Sequence, residues 1–429
     1  MICIRKVSEV AAGKRLAFGS VLFIVFLFSG CYKEYIIYPD ENHGIFNFMV
    51  TPEQEDMIIN SRGIRYTIDN PLPILHFGEE VYGVDRFQVR GETTLSFRRK
   101  SFSVNLDDNI VFFIESEGRA KEFEEFKLIS LVFDYTYIEN CIALGIFHKL
   151  SLWPMHSFYT EVQLSNDTQG IYLFIEDPVE YYLYQQNASF ILRRNYNHSI
   201  DNYHINDLNA EKSSEYYIDN FNSIYSLIAD YSGQALYDSL MCLMDLPQYF
   251  RKIAVDLLVQ NGDYTDEIFF YTKRIEDNEI FGIYPWDYDD LFSELPHEVG
   301  RSWGPGTVFG TRYYYSMDDI YADVGHKLLF SIEDDLDYKI AKDEYLYQQY
   351  LQVLEQVLEI IDIESIDEII ADTKNQLQPF YRNADIIAQS QYDDKETNQQ
   401  LFENNLADKH QFLLDRREFL LQELALQKK

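Results

Sequence analysis

The chain has 429 residues, of which 46% are hydrophobic, and carries 36 Lys and Arg against 71 Asp and Glu, a formal net charge of −35. That length and hydrophobicity support a large core and two lobes. The charge argues against a nucleic-acid partner, which needs a basic face, and fits solubility outside the cytoplasm. Residues 1–30 read as a lipoprotein signal peptide. Arg5, Lys6, Lys14 and Arg15 precede an apolar run at 16–28, and Leu27-Phe28-Ser29-Gly30-Cys31 closes it with a lipoprotein-type cleavage box. Cys31 is then the acylated first residue, which anchors the chain to a membrane of the cell envelope. The run is short for a membrane span of about 20 residues. Tyr32-Lys33-Glu34 has no Asp at the second mature position, which points to the outer membrane in a cell that has one. Of the four cysteines, Cys141 and Cys242 remain to pair, and the export compartment permits that bridge.

Residues 31–45 read as a tether, with Pro39, Asp40, Glu41, Asn42 and Gly44. Residues 46–206 form the expected β-rich first lobe. Strand patterns occur at 46–50, 87–90, 102–106 and 111–114. Ile138, Ile142, Ile146 and Leu150 recur four apart and predict a buried helix over 136–150. Strands at 158–164 and 170–176, joined by a polar connection at 165–169, predict a hairpin, and a further strand follows at 190–193. Residues 207–429 form the expected helical second lobe, with helices at 213–229, 234–244, 247–260, 343–361, 366–377 and 397–426. Asp245 before Pro247 marks one helix start. A second hairpin at 268–272 and 279–284 interrupts the helices, and residues 293–315, rich in Gly and Pro, read as a loop over the mouth of a site.

The second hairpin ends in Pro285-Trp286-Asp287-Tyr288-Asp289. Alternate side chains of an extended segment share a face, so Asp287 and Asp289 are placed to point at one cation. Magnesium takes oxygen ligands and leaves room for phosphates, so this is a candidate magnesium site. In so acidic a chain the same spacing also arises on a solvated face. The nine histidines show no His-Glu-x-x-His spacing, and no Gly-x-Ser-x-Gly occurs, which argues against a zinc protease or a serine hydrolase.

Four stretches, in order, resemble the CotH-type spore-coat protein kinase family, a group of atypical kinases. Val89-Arg90-Gly91-Glu92-Thr93-Thr94 through Arg99-Lys100-Ser101-Phe102 is similar to its R-G-x-[ST]-[ST] turn and K-K-x-[YF] strand. Residues 128–140, with Asp134, resemble its segment ending in arginine-asparagine, and residues 162–176 its hairpin ending in G-x-Y-L-x-x-E. Asn261-Gly262-Asp263, Phe269-Phe270-Tyr271 and the Pro285 to Asp289 motif resemble its catalytic end. The likeness runs over residues 85–295, about half the chain.

The resemblance implies a two-lobed α+β, protein-kinase-like fold that transfers phosphate from ATP, with Mg2+, to a protein Ser/Thr hydroxyl. Asp263 would orient the hydroxyl, Asp287 and Asp289 with Glu267 would hold the metal, and Lys100 and Arg90 would grip the nucleotide phosphates. Asp263 also reads as a plain turn residue, and Arg98, Arg99 and Lys100 as a solvated edge. Glu267 stands where the family usually has asparagine, and Glu139-Asn140 where it has arginine-asparagine. A non-catalytic pseudokinase of the envelope, binding a partner or a nucleotide in its cleft, is therefore the alternative.

Overall fold

The computed structural model describes residues 44–114, 119–195, 199–263, 268–275, 278–286, 288–297, 299, 314–390 and 396–428. The expected signal peptide, Cys31 and nearly all of the tether lie outside these residues, as do Glu267, Asp287 and most of the 293–315 loop.

The N-terminal part is sheet-rich. Its elements are β1 (Ile45–Met49), α1 (Pro52–Asn60), β2 (Tyr66–Thr67), β3 (Ile74–Phe77), β4 (Glu80–Arg90), β5 (Ser101–Ile114), β6 (Arg119–Ile129), α2 (Ile138–Lys149), β7 (Ser157–Leu164) and β8 (Asp167–Glu176). The pairing order is β4-β3-β1-β7-β8-β6-β5, and β5 pairs back onto β4. Seven strands thus close into a barrel, which leaves no long unpaired edge. The ring is possible because β4 is 11 residues long, with Glu80 to Gly83 on β3 and Val84 to Arg90 on β5. The alternation of side chains sends phenylalanines inward. Phe46, Phe48, Phe77, Phe87, Phe102, Phe126 and Phe174 are all fully buried, and Phe158 stacks on Phe174 at 4.5 Å. The expected hairpin is present as β7–β8. Its turn is only Ser165-Asn166, both at positive φ (50° and 76°), the conformation that matches strand twist in a two-residue connection.

α2 takes the predicted stripe. Ile138, Ile142 and Ile146 are buried beside Ile171, Leu173 and Ile175, residues of β8 that alternate with the barrel-core Tyr172 and Phe174. Gly145 meets Ile369, so the helix is covered on its other side too.

The C-terminal part is mostly helical around one small sheet. It contains β9 (Phe190–Arg194), β10 (Ile200–Ile205), α3 (Ser214–Asp230), α4 (Gly233–Met241), α5 (Leu246–Val259), β11 (Ile268–Ile275) and β12 (Asn278–Pro285). Then follow α6 (Met317–Val324), α7 (Asp335–Lys342), α8 (Glu344–Ile360), α9 (Ile363–Tyr381), α10 (Ala384–Ser390) and α11 (Gln399–Gln427). The sheet order is β10-β9-β11-β12, with Phe269 opposite Arg193 and Tyr271 opposite Ile191. The strand at 190–193, expected with the first lobe, therefore pairs in the second. A local pattern identifies a strand but not its distant neighbour. α11 buries Leu406, Leu413 and Leu420 at seven-residue spacing along the lobe.

A buried charge fixes this sheet to the helices. Arg194 of β9 lies 3.3 Å from Asp334 and 3.0 Å from the Tyr249 hydroxyl, which itself donates to Asp337 at 2.9 Å. Cys141 is buried and Cys242 exposed, and both are free thiols. No helix among the described residues is long and apolar enough to cross a membrane.

Candidate active site

Helix α5 builds the site from its last turn. Asp245 accepts the Gln248 amide at 2.9 Å to start the helix, with Pro247 in the first turn as the sequence predicts. At the other end Gln260 turns left-handed, φ 50°, and throws Asn261-Gly262-Asp263 back along the helix end. One turn earlier lies Asp256, buried in an otherwise apolar stretch. Its carboxylate pairs with Lys252 at 2.8 Å and accepts from the Asn261 amide at 3.3 Å and the Tyr288 hydroxyl at 2.9 Å. One carboxylate thus joins the Asp263 loop to the Pro285 to Asp289 motif.

Backbone bonds lace the same two segments. Gly262 N donates to Asp290 O at 2.9 Å, Phe292 N to Val259 O at 2.8 Å, Ser293 N to Gln260 O at 3.1 Å and His297 N to Gly262 O at 2.9 Å. The closeness bears on Gly262, since a Cβ there would come within 3.0 Å of the Asp290 and Ser293 side chains, which would have to shift. The structure therefore brings the Asp263 loop against the exit of the Pro285 to Asp289 motif.

Asp263 is 43% exposed and accepts from His297 Nδ1 at 3.4 Å, while His297 Nε2 bonds Asp290. Burial opposes the charged imidazolium, but the hydrogen bonds and charges of Asp263 and Asp290 outweigh it and raise the His297 pKa to about 9. Asp289 is half-buried.

The barrel contributes the opposite wall. The Arg90 guanidinium, at the end of β4, lies 5.5 Å from the centre of the Trp286 ring. Trp286 also meets Phe269 at 6.0 Å and Trp153 at 6.1 Å, and Tyr284 stacks between Phe269 at 4.9 Å and Tyr182 at 4.8 Å. Lys127 of β6 is ion-paired with Asp177, just past β8. Burial works against both charges, yet Lys127 holds the Asp177 carboxyl below the usual carboxylate range. The charges of Asp177, Arg193 and Arg90 all act on Tyr284. Behind Trp286 a cavity of about 30 Å³ is lined by Ile129, Asn140, Phe147, Trp153 and Tyr288 among others.

Lys100 is elsewhere. Its ammonium donates to the carbonyls of Ser61, Leu95 and Phe97, each at 2.6 Å, and is 2% exposed. Burial, helped by Arg62, pushes its pKa down to about 8. It ties α1 to the turn at 93–96, so the lysine beside Arg90 is Lys127. The sequence reading missed Lys127, Asp177, Asp256 and His297. Asp256 had a signal, a carboxylate inside an apolar helix; Lys127, on a strand rich in charges, had none.

Residues 87–420 match the protein family described as CotH kinase protein, and the chain belongs to that family. It is a kinase-like protein. No curated protein matches it.

A magnesium ion and a nucleotide are what such a family implies. Among the described residues no three His, Cys, Asp or Glu are grouped to hold a metal, and Asp287 and Glu267 lie outside them. The donor chemistry fits nonetheless. Asp289 carries carboxylate oxygens of the kind magnesium takes, and the fully buried Asn261 Oδ1 has no hydrogen-bond partner.

Proposed function

We propose that this protein is a lipid-anchored phosphotransferase of the cell envelope, moving the terminal phosphate of ATP to a serine or threonine hydroxyl of a protein. One observation carries the reading: in a chain of net charge −35, Arg90 lies over the Trp286 ring, Arg90 and Arg193 act on Tyr284 together with Asp177, and Lys127, paired with Asp177, is a further cation near Arg90. Anionic phosphates are the ligand such a gathering favours. Asp287 and Asp289, with Glu267, are the proposed magnesium ligands, and the ion when bound neutralises phosphate charge. Arg90 and Lys127 bind the phosphates, with Asp177 orienting Lys127. Asp263 accepts the proton of the attacking hydroxyl while the oxygen displaces ADP from phosphorus. The Trp286, Phe269 and Tyr284 rings give the cleft an apolar wall that excludes water. The lipidated Cys31 places the domain at the membrane, and its protein substrate is met there.

A second reading has its own support. His297 already pairs with Asp263, so a cleft that binds a nucleotide or an envelope partner without transfer is the competing function. Thermal unfolding with magnesium and ATP tests both, since a ligand that binds the native state raises the midpoint. A rise lost in Asp287→Ala and Asp289→Ala supports the nucleotide site, and transfer of labelled phosphate to protein then separates the two readings. No rise at millimolar ATP refutes the kinase reading.

A further inference from the structure

The loop that leaves the metal motif is held from two sides by residues remote in sequence. Leu291 N donates to Glu139 Oε2 of α2 at 3.3 Å, and Lys409 Nζ of α11 lies 3.3 Å from Glu139 Oε1. The same ammonium sits over the Phe292 ring at 4.1 Å. Phe412, three residues on and so on the same face of α11, meets Phe292 edge-on at 5.0 Å. Phe292 itself is left-handed, φ 59°, a conformation that a bulky side chain keeps only when its surroundings impose it.

Glu139 needs that cation. Asp134, 2% exposed, is its near neighbour and accepts the Asn140 amide at 2.9 Å. Burial, and for Glu139 also the Asp134 charge, pushes both carboxyls up, and Lys409 pulls the other way. A neutral Glu139 is a weaker acceptor for Leu291 N.

We propose that Lys409 and Phe412 are positioning residues: through Glu139, Leu291 and Phe292 they hold residues 290–293 against the Asp263 loop, and so set the place of the preceding Asp289. The C-terminal helix is thereby coupled to the site, and anything that shifts α11 loosens the metal motif. The inference rests on the nucleotide reading above for its effect on binding, but not for the junction itself.

The test uses the full chain and the variants Lys409→Met, Lys409→Arg, Glu139→Gln, Phe412→Ala and the Lys409→Met/Glu139→Gln pair. Magnesium-ATP affinity is taken from the ligand-induced rise in midpoint within each variant, which removes baseline stability. Lys409→Met is expected to weaken affinity about tenfold, Lys409→Arg to stay within about twofold of wild type, and the double variant to be no worse than Lys409→Met. Wild-type affinity in Lys409→Met, or equal losses in the Met and Arg variants, overturns the proposal. Where Lys409→Met does not fold, Glu139→Gln breaks the same pair and carries the same expectation. If the wild type shows no rise, the nucleotide reading fails, and the junction is judged by ligand-free denaturation. There, non-additive losses in the double variant support it and additive ones overturn it.

Discussion

His297 gives the fold a stability that depends on pH, and its size follows from the site. Its imidazole bridges Asp263 and Asp290, which raises its pKa from the ordinary 6.5 to about 9. A group whose pKa is raised by folding stabilises the fold fully below its unfolded value and loses that contribution as pH rises through the folded one. The window is therefore about pH 6.5 to 9. Each pKa unit is worth about 1.4 kcal/mol, which sets a ceiling of roughly 3 kcal/mol. Asp263 and Asp290 are 43% and 39% exposed, so solvent screening reduces the expected value to about 1–2 kcal/mol. Denaturant unfolding of the wild type and His297→Gln at pH 6 and pH 9.5 measures it. The wild type is expected to lose about 1–2 kcal/mol more than the variant over that interval. Equal losses in the two proteins would refute the bridge as a stabilising element.

The two lysines separate by experiment. Lys100→Met strands three carbonyls and is expected to cost about 2–4 kcal/mol while leaving the ATP-induced midpoint rise intact, whereas Lys127→Met is expected to abolish that rise. The reverse pattern in thermal unfolding would return the phosphate role to Lys100. Gly262→Ala forces the Asp290 and Ser293 side chains apart and is expected to cost about 1–3 kcal/mol, with a smaller rise on magnesium-ATP; an unchanged midpoint would show that the loop yields freely. Arg194→Met leaves Asp334 buried without its ion pair, and denaturation should show a loss of about 3–5 kcal/mol.

What was legible in the sequence is what short-range periodicity encodes. Ile138, Ile142 and Ile146 announce α2 because four residues carry a helix just past one full turn, and Asp245 with Pro247 announces the start of α5 because orphan amides need an acceptor there. The Asp263 loop and the Pro285 to Asp289 motif were likewise visible as strings. Barrel closure was not, since nothing in residues 80–90 says that one strand serves two partners along its length. Nor does a lysine on a strand declare its neighbours. Lys100 stands after two arginines just before β5 and Lys127 after Glu124-Glu125-Phe126 within β6, but neither context foretells that the paths of α1 and β8 bring one to carbonyls and the other to Asp177.

The same distinction bears on how so acidic a chain could present the proposed phosphate site. At physiological ionic strength charges more than about 8 Å apart are largely screened in solvent, so the net −35 acts mainly on how partners approach, while the cleft responds to its own neighbours. Those neighbours are arranged in matched layers. Asp177 takes up part of the Lys127 charge, and the Trp286 ring lies beneath Arg90. His297 offsets Asp263 and Asp290 on the opposite wall. Local pairing of this kind offsets charge group by group without a net basic surface, so the field inside the proposed site is set by the few residues that fold together there rather than by the composition of the chain.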